Sequence, residues 1–249
     1  MLVVSHLRKS FQATVAADDV CFELAEGGSL GLVGESGSGK TTIARMLVGL
    51  ETPDSGTISV AGRARGAKER GRAARLRRAR EIQMVFQDPY VSLDPRLTAA
   101  ECLHTALRLH GKDRSRAAEL LDQVGLGSRE AGARPHQLSG GQRQRLAIAR
   151  ALAVEPSVLV LDEAVAALDV SIQAQILDLL ARVRRESGVA LLFVSHDLAV
   201  VRHLCDATLV LHRGVVVEQG PVERVLAEPE HPYTRLLLDS VPKPRFSRS

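Results

Sequence analysis

Ser29-Leu30-Gly31-Leu32-Val33-Gly34-Glu35-Ser36-Gly37-Ser38-Gly39-Lys40-Thr41 joins an apolar run to a glycine-rich loop that ends in Lys-Thr. Ser29 to Gly34 reads as a short buried strand. Lys40 to Leu50 reads as a helix, with Ile43, Met46, Leu47 and Leu50 at helical spacing. Between them Gly34–Thr41 fits G-x-x-x-x-G-K-[ST], and strand, glycine loop and helix is the setting a phosphate-binding loop requires. Gly34, Gly37 and Gly39 let the backbone curl so that N–H groups point inward at the positive end of the helix. Lys40 reaches the β and γ phosphates and the Thr41 hydroxyl ligates Mg²⁺. Glu35, Ser36, Ser38 and Thr42 complete the stretch assigned to the nucleotide.

Outward from this loop, Thr52–Gly56 reads as a turn into a strand at Thr57–Val60, and Ile82–Phe86 as a further strand. Residues 98–153 look all-helical. Ala117, Leu120, Leu121 and Val124 form one apolar face closed by Gly125, and a helix runs from Gly141 to Ala153. The parallel-sheet pattern then returns with strands at Val158–Leu161, Val189–Val194 and Ala207–Leu211, and a helix at Ile172–Arg185. Strand–helix–strand repetition predicts a doubly wound α/β core interrupted by a helical insert. Asp162 ends a buried apolar strand, where a carboxylate is costly unless it meets a cation, so it is a candidate to hold Mg²⁺ through water. Glu163 is the candidate general base. The alternative for such an acidic pair is a helix cap.

Composition is that of an ordinary globular protein, 45% apolar and 25% charged. No apolar run reaches the roughly 18 residues of a membrane span. The start, Met1–His6, has no signal-peptide pattern, and Cys21, Cys102 and Cys205 have no metal or disulfide spacing; a cytosolic protein is expected. Residues 63–80 hold nine Lys/Arg and one acid, Glu69, a charge of +8; since the whole chain carries +4, the remainder carries −4. No aromatic residue interleaves the run, so a solvated helix is expected rather than a nucleic-acid surface. Val241–Ser249 reads as a disordered tail.

Leu138-Ser139-Gly140-Gly141-Gln142, lying between the phosphate loop and Val158-Leu159-Val160-Leu161-Asp162-Glu163, gives the chain its resemblance to the ATP-binding-cassette (ABC) ATPase family. The resemblance implies a P-loop NTPase (RecA-like) core with an N-terminal antiparallel β subdomain and an inserted α-helical subdomain. It implies one domain over 1–240, with the core at about 1–90 and 155–228 and the helical part at about 91–154, then a short extension at 229–249. It further implies ATP hydrolysis between two paired subunits. Ser139, Gly140, Gly141 and Gln142 then close over the γ-phosphate of ATP bound to the opposite subunit. Gln87 matches the Q-loop that senses Mg²⁺ and the attacking water, Asp169 of Ala167-Leu168-Asp169 the D-loop, and His196 the switch histidine. Phe11 lies where relatives place the aromatic that stacks on adenine, although a core role suits a phenylalanine there equally. Ala166 stands where many relatives have Ser.

Val85–Tyr90, Leu93–Arg96, Asp162–Val165 and His231-Pro232-Tyr233-Thr234 look like the oligopeptide/dipeptide importer branch, which also includes nickel importers. Membership implies two transmembrane permeases, a second identical or similar ATPase subunit and an extracytoplasmic solute-binding protein. It places the chain at the cytoplasmic face of the membrane and expects no nucleic acid. A soluble ABC protein acting on ribosomes or DNA and an ATP-gated regulator without turnover are the rival readings.

Overall fold

A computed structural model describes residues 1–12, 14–65 and 71–240. Residues 66–70 of the basic run and the tail 241–249, expected to be disordered, lie outside the described residues. The first elements are β1 (Leu2–Phe11), β2 (Thr14–Leu24), β3 (Ser29–Val33), α1 (Lys40–Val48), β4 (Ser55–Val60), β5 (Arg63–Ala64), α2 (Arg72–Glu81) and β6 (Ile82–Val85). Four helices follow, α3 (Ala99–Leu109), α4 (Arg116–Gln123), α5 (Ser128–Ala131) and α6 (Gly140–Leu152). Then come β7 (Val158–Asp162), α7 (Val170–Ser187), β8 (Ala190–Ser195), α8 (Leu198–Leu204), β9 (Ala207–His212), β10 (Val215–Pro221), α9 (Val222–Ala227) and α10 (Pro232–Asp239).

The strands make two sheets, one antiparallel in the order β2-β1-β4-β5 and one in the order β10-β9-β3-β8-β7-β6. The second is parallel throughout except for the β9–β10 hairpin. Every residue of β3, β7 and β8 is buried, because both faces of a parallel sheet are covered and a continuous apolar run is what such a strand needs. The two faces feed separate cores. In β8, Leu191 and Phe193 point to a cluster shared with the helices α3–α8, while Ala190, Leu192 and Val194 join α1 and the antiparallel sheet on the other side.

The helical insert grows out of the first of these cores. Ala117, Leu120, Leu121 and Val124 are all buried in one cluster with Leu159 and Leu161 of β7, so the insert's apolar face is continuous with the sheet. Gly125 takes φ +71 and the Leu126 N–H returns to the Leu121 carbonyl at 2.8 Å, which closes α4 as its glycine leads one to expect. One expectation fails at α1. Gly49 adopts φ 78 and ends the helix after Val48, so Leu50 is exposed rather than part of the apolar stripe of Ile43, Met46 and Leu47. In the basic run, α2 buries only Ala74, as a solvated helix should. Arg80 ties it to the insert, its guanidinium donating to Nδ1 of the buried His110 at 3.3 Å.

Candidate functional site

Parallel register sets out the site in a row. Val85 pairs with Leu161, Asp162 with Val194, and Val33 with Ser195. The residues that follow these strand ends therefore emerge side by side at the carboxyl edge of the sheet, the edge where open α/β sheets hold ligands. They are Gln87 after β6, Glu163 after β7, His196 after β8 and the Gly34–Gly39 loop after β3. Residues separated by up to 162 positions thus converge because four short strands run the same way.

The phosphate loop is gripped from outside. Gly39, the N-cap of α1, has φ 107 and lies so close to the Ala16 carbonyl of β2 that a Cβ there would overlap it; only glycine serves. Gly214, in the β9–β10 turn, donates its N–H to the Ser38 carbonyl at 2.9 Å, and its own carbonyl receives the Asp18 N–H at 2.8 Å. Inside the loop, Lys40 is buried and its Nζ donates to the carbonyls of Gly34 (2.8 Å) and Glu35 (2.7 Å). Burial holds the Lys40 ammonium below the usual lysine range, opposed by the charges of Glu163, Asp162 and Glu35. The Ser38 hydroxyl is buried and has no hydrogen-bond partner among the described residues. Gly37 has open space where a side chain would be.

Thr41, one residue into α1, donates its hydroxyl to the Asp162 carboxylate at 3.1 Å. Burial pushes the Asp162 carboxyl above the usual carboxylate range; the Thr41 bond acts in the opposite direction. Glu163 adopts φ 47, a left-handed conformation that costs a non-glycine residue energy, and its N–H is held by the Val194 carbonyl at 3.0 Å. That twist separates the two acids. Asp162 turns toward Thr41, while Glu163 Oε1 lies 3.4 Å from His196 Nδ1. The helix-cap alternative for this pair is therefore not what the fold uses. No helix starts at Asp162 or Glu163; the next one is capped by Asp169.

The Leu138–Gln142 turn is built differently. Ser139 caps α6, accepting the Gln142 N–H at 3.3 Å, while Gln142 Oε1 receives the Ser139 N–H at 2.9 Å. A Cβ on Gly141 would come within 2.6 Å of Ile172 Cγ2, so glycine is what lets α6 pack on α7. Among the described residues no hydrogen bond or ion pair joins 138–142 to 34–42. Asp169, expected at the nucleotide, caps α7 by accepting the Ile172 N–H at 2.9 Å. Gln87 is exposed and borders a cleft of about 350 Å³ with Gly140, Gln144, Ala167 and Leu168, so the stretches expected to be Q-loop, signature and D-loop meet there. Arg143 stacks over Tyr90 across that cleft, 4.7 Å from the ring centroid.

Phe11, at the end of β1, is 43% exposed with Lys9 Nζ 5.0 Å from its centroid, so it is not a core residue. Sequence reasoning missed one residue at the loop altogether. The Glu35 N–H donates to the hydroxyl of Tyr233 at 3.0 Å. The only signal for it is the His231–Thr234 string, which in the sequence points to kinship or to a proline turn before a helix and not to the loop.

Comparison with known proteins accords with this geometry. The ABC transporter profile matches residues 17–166, and that of the oligopeptide/dipeptide transporter C-terminal region matches 217–249. The chain is 48% identical over 246 residues to the oligopeptide transport ATP-binding protein OppD of Mycobacterium tuberculosis, covering 97% of this chain but only 40% of that protein. It is 42% identical over 255 residues to OppF of Bacillus subtilis, covering 98% of this chain and 83% of the relative. Among solved structures, the dimeric post-hydrolysis state of the ATP-binding cassette MJ0796, bound to ADP and Pi, superposes with TM-score 0.79 at 30% identity, covering 89% of this chain and 99% of that one. With the strand-ordered edge, the gripped phosphate loop and these matches together, the chain belongs to the ABC transporter family.

Proposed function

We propose that this chain is the ATP-binding and ATP-hydrolysing subunit of a membrane ABC importer of oligopeptides or dipeptides. The observation that carries ATP hydrolysis is the meeting of Lys40, Thr41, Asp162, Glu163 and His196 at one sheet edge. Lys40 exchanges the carbonyls of Gly34 and Glu35 for phosphate oxygens, and the buried Ser38 hydroxyl gains the partner it lacks. Glu163 accepts the proton of the attacking water, and His196 beside it stabilises the γ-phosphate. The Thr41 hydroxyl and the Asp162 carboxylate are hard oxygen donors already in contact, a set that fits Mg²⁺, with Gln87 one strand away. Mg²⁺ held there would neutralise the phosphate charge.

Pairing follows from the signature turn. Ser139 and Gly141 open a helix that, among the described residues, has no hydrogen bond or ion pair to 34–42, so we assign its N-terminus to ATP held by a second subunit. The dimeric cassette that superposes on this fold supports that reading. Peptide transport rests on the C-terminal region match at 217–249 and on relatives named as oligopeptide transport ATP-binding proteins. No helix among the described residues is long and apolar enough to cross a membrane. As membership of the importer branch implies, two permease subunits supply the path and this chain docks at their cytoplasmic face. An external solute-binding protein delivers the cargo. ATP closure swings the helical part at about 91–154 and moves the permeases.

The test is ATP turnover in the complex reconstituted with its permeases in vesicles, with and without peptide-loaded binding protein. Turnover stimulated by peptide supports the reading. Turnover indifferent to peptide but stimulated by nickel or another solute moves the cargo. Co-purification with ribosomes or DNA and not with permeases overturns it.

A further inference from the structure

His231-Pro232-Tyr233-Thr234 marks kinship in the reading above, but the fold gives each residue work. Pro232 is the first residue of α10, where its missing N–H leaves nothing unpaired. His231 is the cap, its Nδ1 accepting the Tyr233 N–H at 3.1 Å. The N–H groups of Glu230 and His231 donate to the Glu218 carboxylate of β10 at 2.9 and 3.0 Å, which anchors the start of the helix on the sheet. Thr234 is fully buried beneath it. All of this aims Tyr233. Its ring packs on His212 at the end of β9, centroids 3.9 Å apart, and its hydroxyl accepts the Glu35 N–H at 3.0 Å across 198 residues of sequence.

We propose that Tyr233 is a positioning residue for the phosphate loop, tying the peptide at Gly34–Glu35 so that the loop keeps its shape when Lys40 turns to a nucleotide. The proposal rests on reading 34–41 as the nucleotide site. Lys40 Nζ donates to the carbonyls of Gly34 and Glu35. Nζ carries three N–H donors, so an exchange of either carbonyl for a phosphate oxygen loosens the internal clasp of the near arm. The bond from Glu35 to Tyr233 does not depend on Lys40, so it survives that exchange. The far arm has its own tie in the Gly214 N–H to the Ser38 carbonyl. Both ties reach the loop from the β9–β10 side, one through the hairpin turn and one through α10 docked on β10. Through Tyr233, α10 is thereby part of the proposed nucleotide site.

Tyr233→Phe in the full chain keeps the ring on His212 and removes only the hydroxyl. Three quantities are measured: exchange of the Glu35 amide by NMR, the dissociation constant for Mg·ATP, and Tm. We expect Glu35 exchange to quicken about tenfold and the dissociation constant to rise about three- to tenfold, as loss of one hydrogen bond dictates. Tm stays within about 2 °C of the parent. Unchanged Glu35 exchange overturns the tie. Faster exchange with unchanged Mg·ATP affinity overturns the positioning role, as does a loss of affinity that only tracks a fallen Tm. If the parent chain itself binds no Mg·ATP, the reading of 34–41 fails, while the exchange comparison still decides whether Tyr233 holds the loop.

Discussion

The phosphate loop and the Leu138–Gln142 turn both open helices, but the first is completed by the rest of the chain and the second is not. Around Gly34–Gly39 the chain supplies Ala16, Gly214, Tyr233, Asp162 and Glu163 from elements far apart in sequence. Around Ser139–Gln142 the polar groups are satisfied locally by a capping box, and Gln142 Nε2 reaches no farther than Glu130 Oε1 at 3.3 Å. A site wired into its own core is set by folding. A turn whose polar groups are capped locally, with Ser139 exposed at its tip, suits a ligand brought by a second subunit in the proposed pairing. In the proposed dimer this contrast is the division of labour, since one half of each ATP site is internal and the other half is offered to a neighbour.

The sharpest way to break the contrast is Glu163→Gln. Removing the base while keeping the shape should lower ATP turnover of the assembled transporter at least about 100-fold with Mg·ATP affinity nearly unchanged. Retained turnover, read by phosphate release, takes the base assignment away from Glu163. Next is Ser139→Ala. Turnover of the assembly should fall about 10- to 100-fold, as for a lost bond to a charged phosphate. Tm drops about 2–4 °C from the lost cap. The isolated chain should bind Mg·ATP as before. If its affinity falls with Ser139→Ala, the two regions share one nucleotide and the division of labour is wrong.

Much of this was legible in the sequence, and the reason is local. β3, the glycine loop and α1 are consecutive, so composition and spacing alone describe them, and the register of continuous apolar strands then aligns Gln87, Glu163 and His196. The antiparallel sheet was not legible from pattern. β1 and β2 pair with three register shifts, and His6 and Asp19, both at positive φ, meet at 2.9 Å where alternation breaks down. Leu50 fits the helical period but lies past a left-handed glycine. Neither the φ of Glu163 nor the bond from Glu35 to Tyr233 has a spacing to read, since one is a strained turn and the other joins opposite ends of the chain.

A smaller effect, of opposite sign, comes from Asp162→Asn in the nucleotide-free chain. Burial raises the Asp162 carboxyl, so the folded chain holds that proton to higher pH than the unfolded chain. The group's contribution to stability is full below the ordinary carboxylate value and is lost as pH rises through the raised one. At neutral pH its charge is therefore a cost, and Asn, which still accepts from Thr41, relieves it. Tm should rise about 2–4 °C at pH 7, with the gain vanishing toward pH 4, while Mg²⁺ no longer raises affinity for ATP. A Tm that falls at neutral pH in calorimetry shows that Asp162 is stabilised by its surroundings, and the internal half-site is then not poised for a cation.

The smallest expected effect tests how far the internal half-site extends. Phe11 is exposed at the end of β1 on the antiparallel sheet, outside the row of strand ends that carries the other residues. If adenine stacks on it, Phe11→Ala should weaken ATP about 2- to 10-fold, the range for one aromatic pair, and Phe11→Trp should restore it. Tripolyphosphate, which has no base, should bind both variants and the parent equally. That last arm carries the argument: an equal loss for tripolyphosphate means that Phe11 acts on the loop through β1 and β2 rather than on the base. The antiparallel sheet would then be a clamp on the phosphate loop, like Gly214 and Tyr233, and no part of the nucleotide surface.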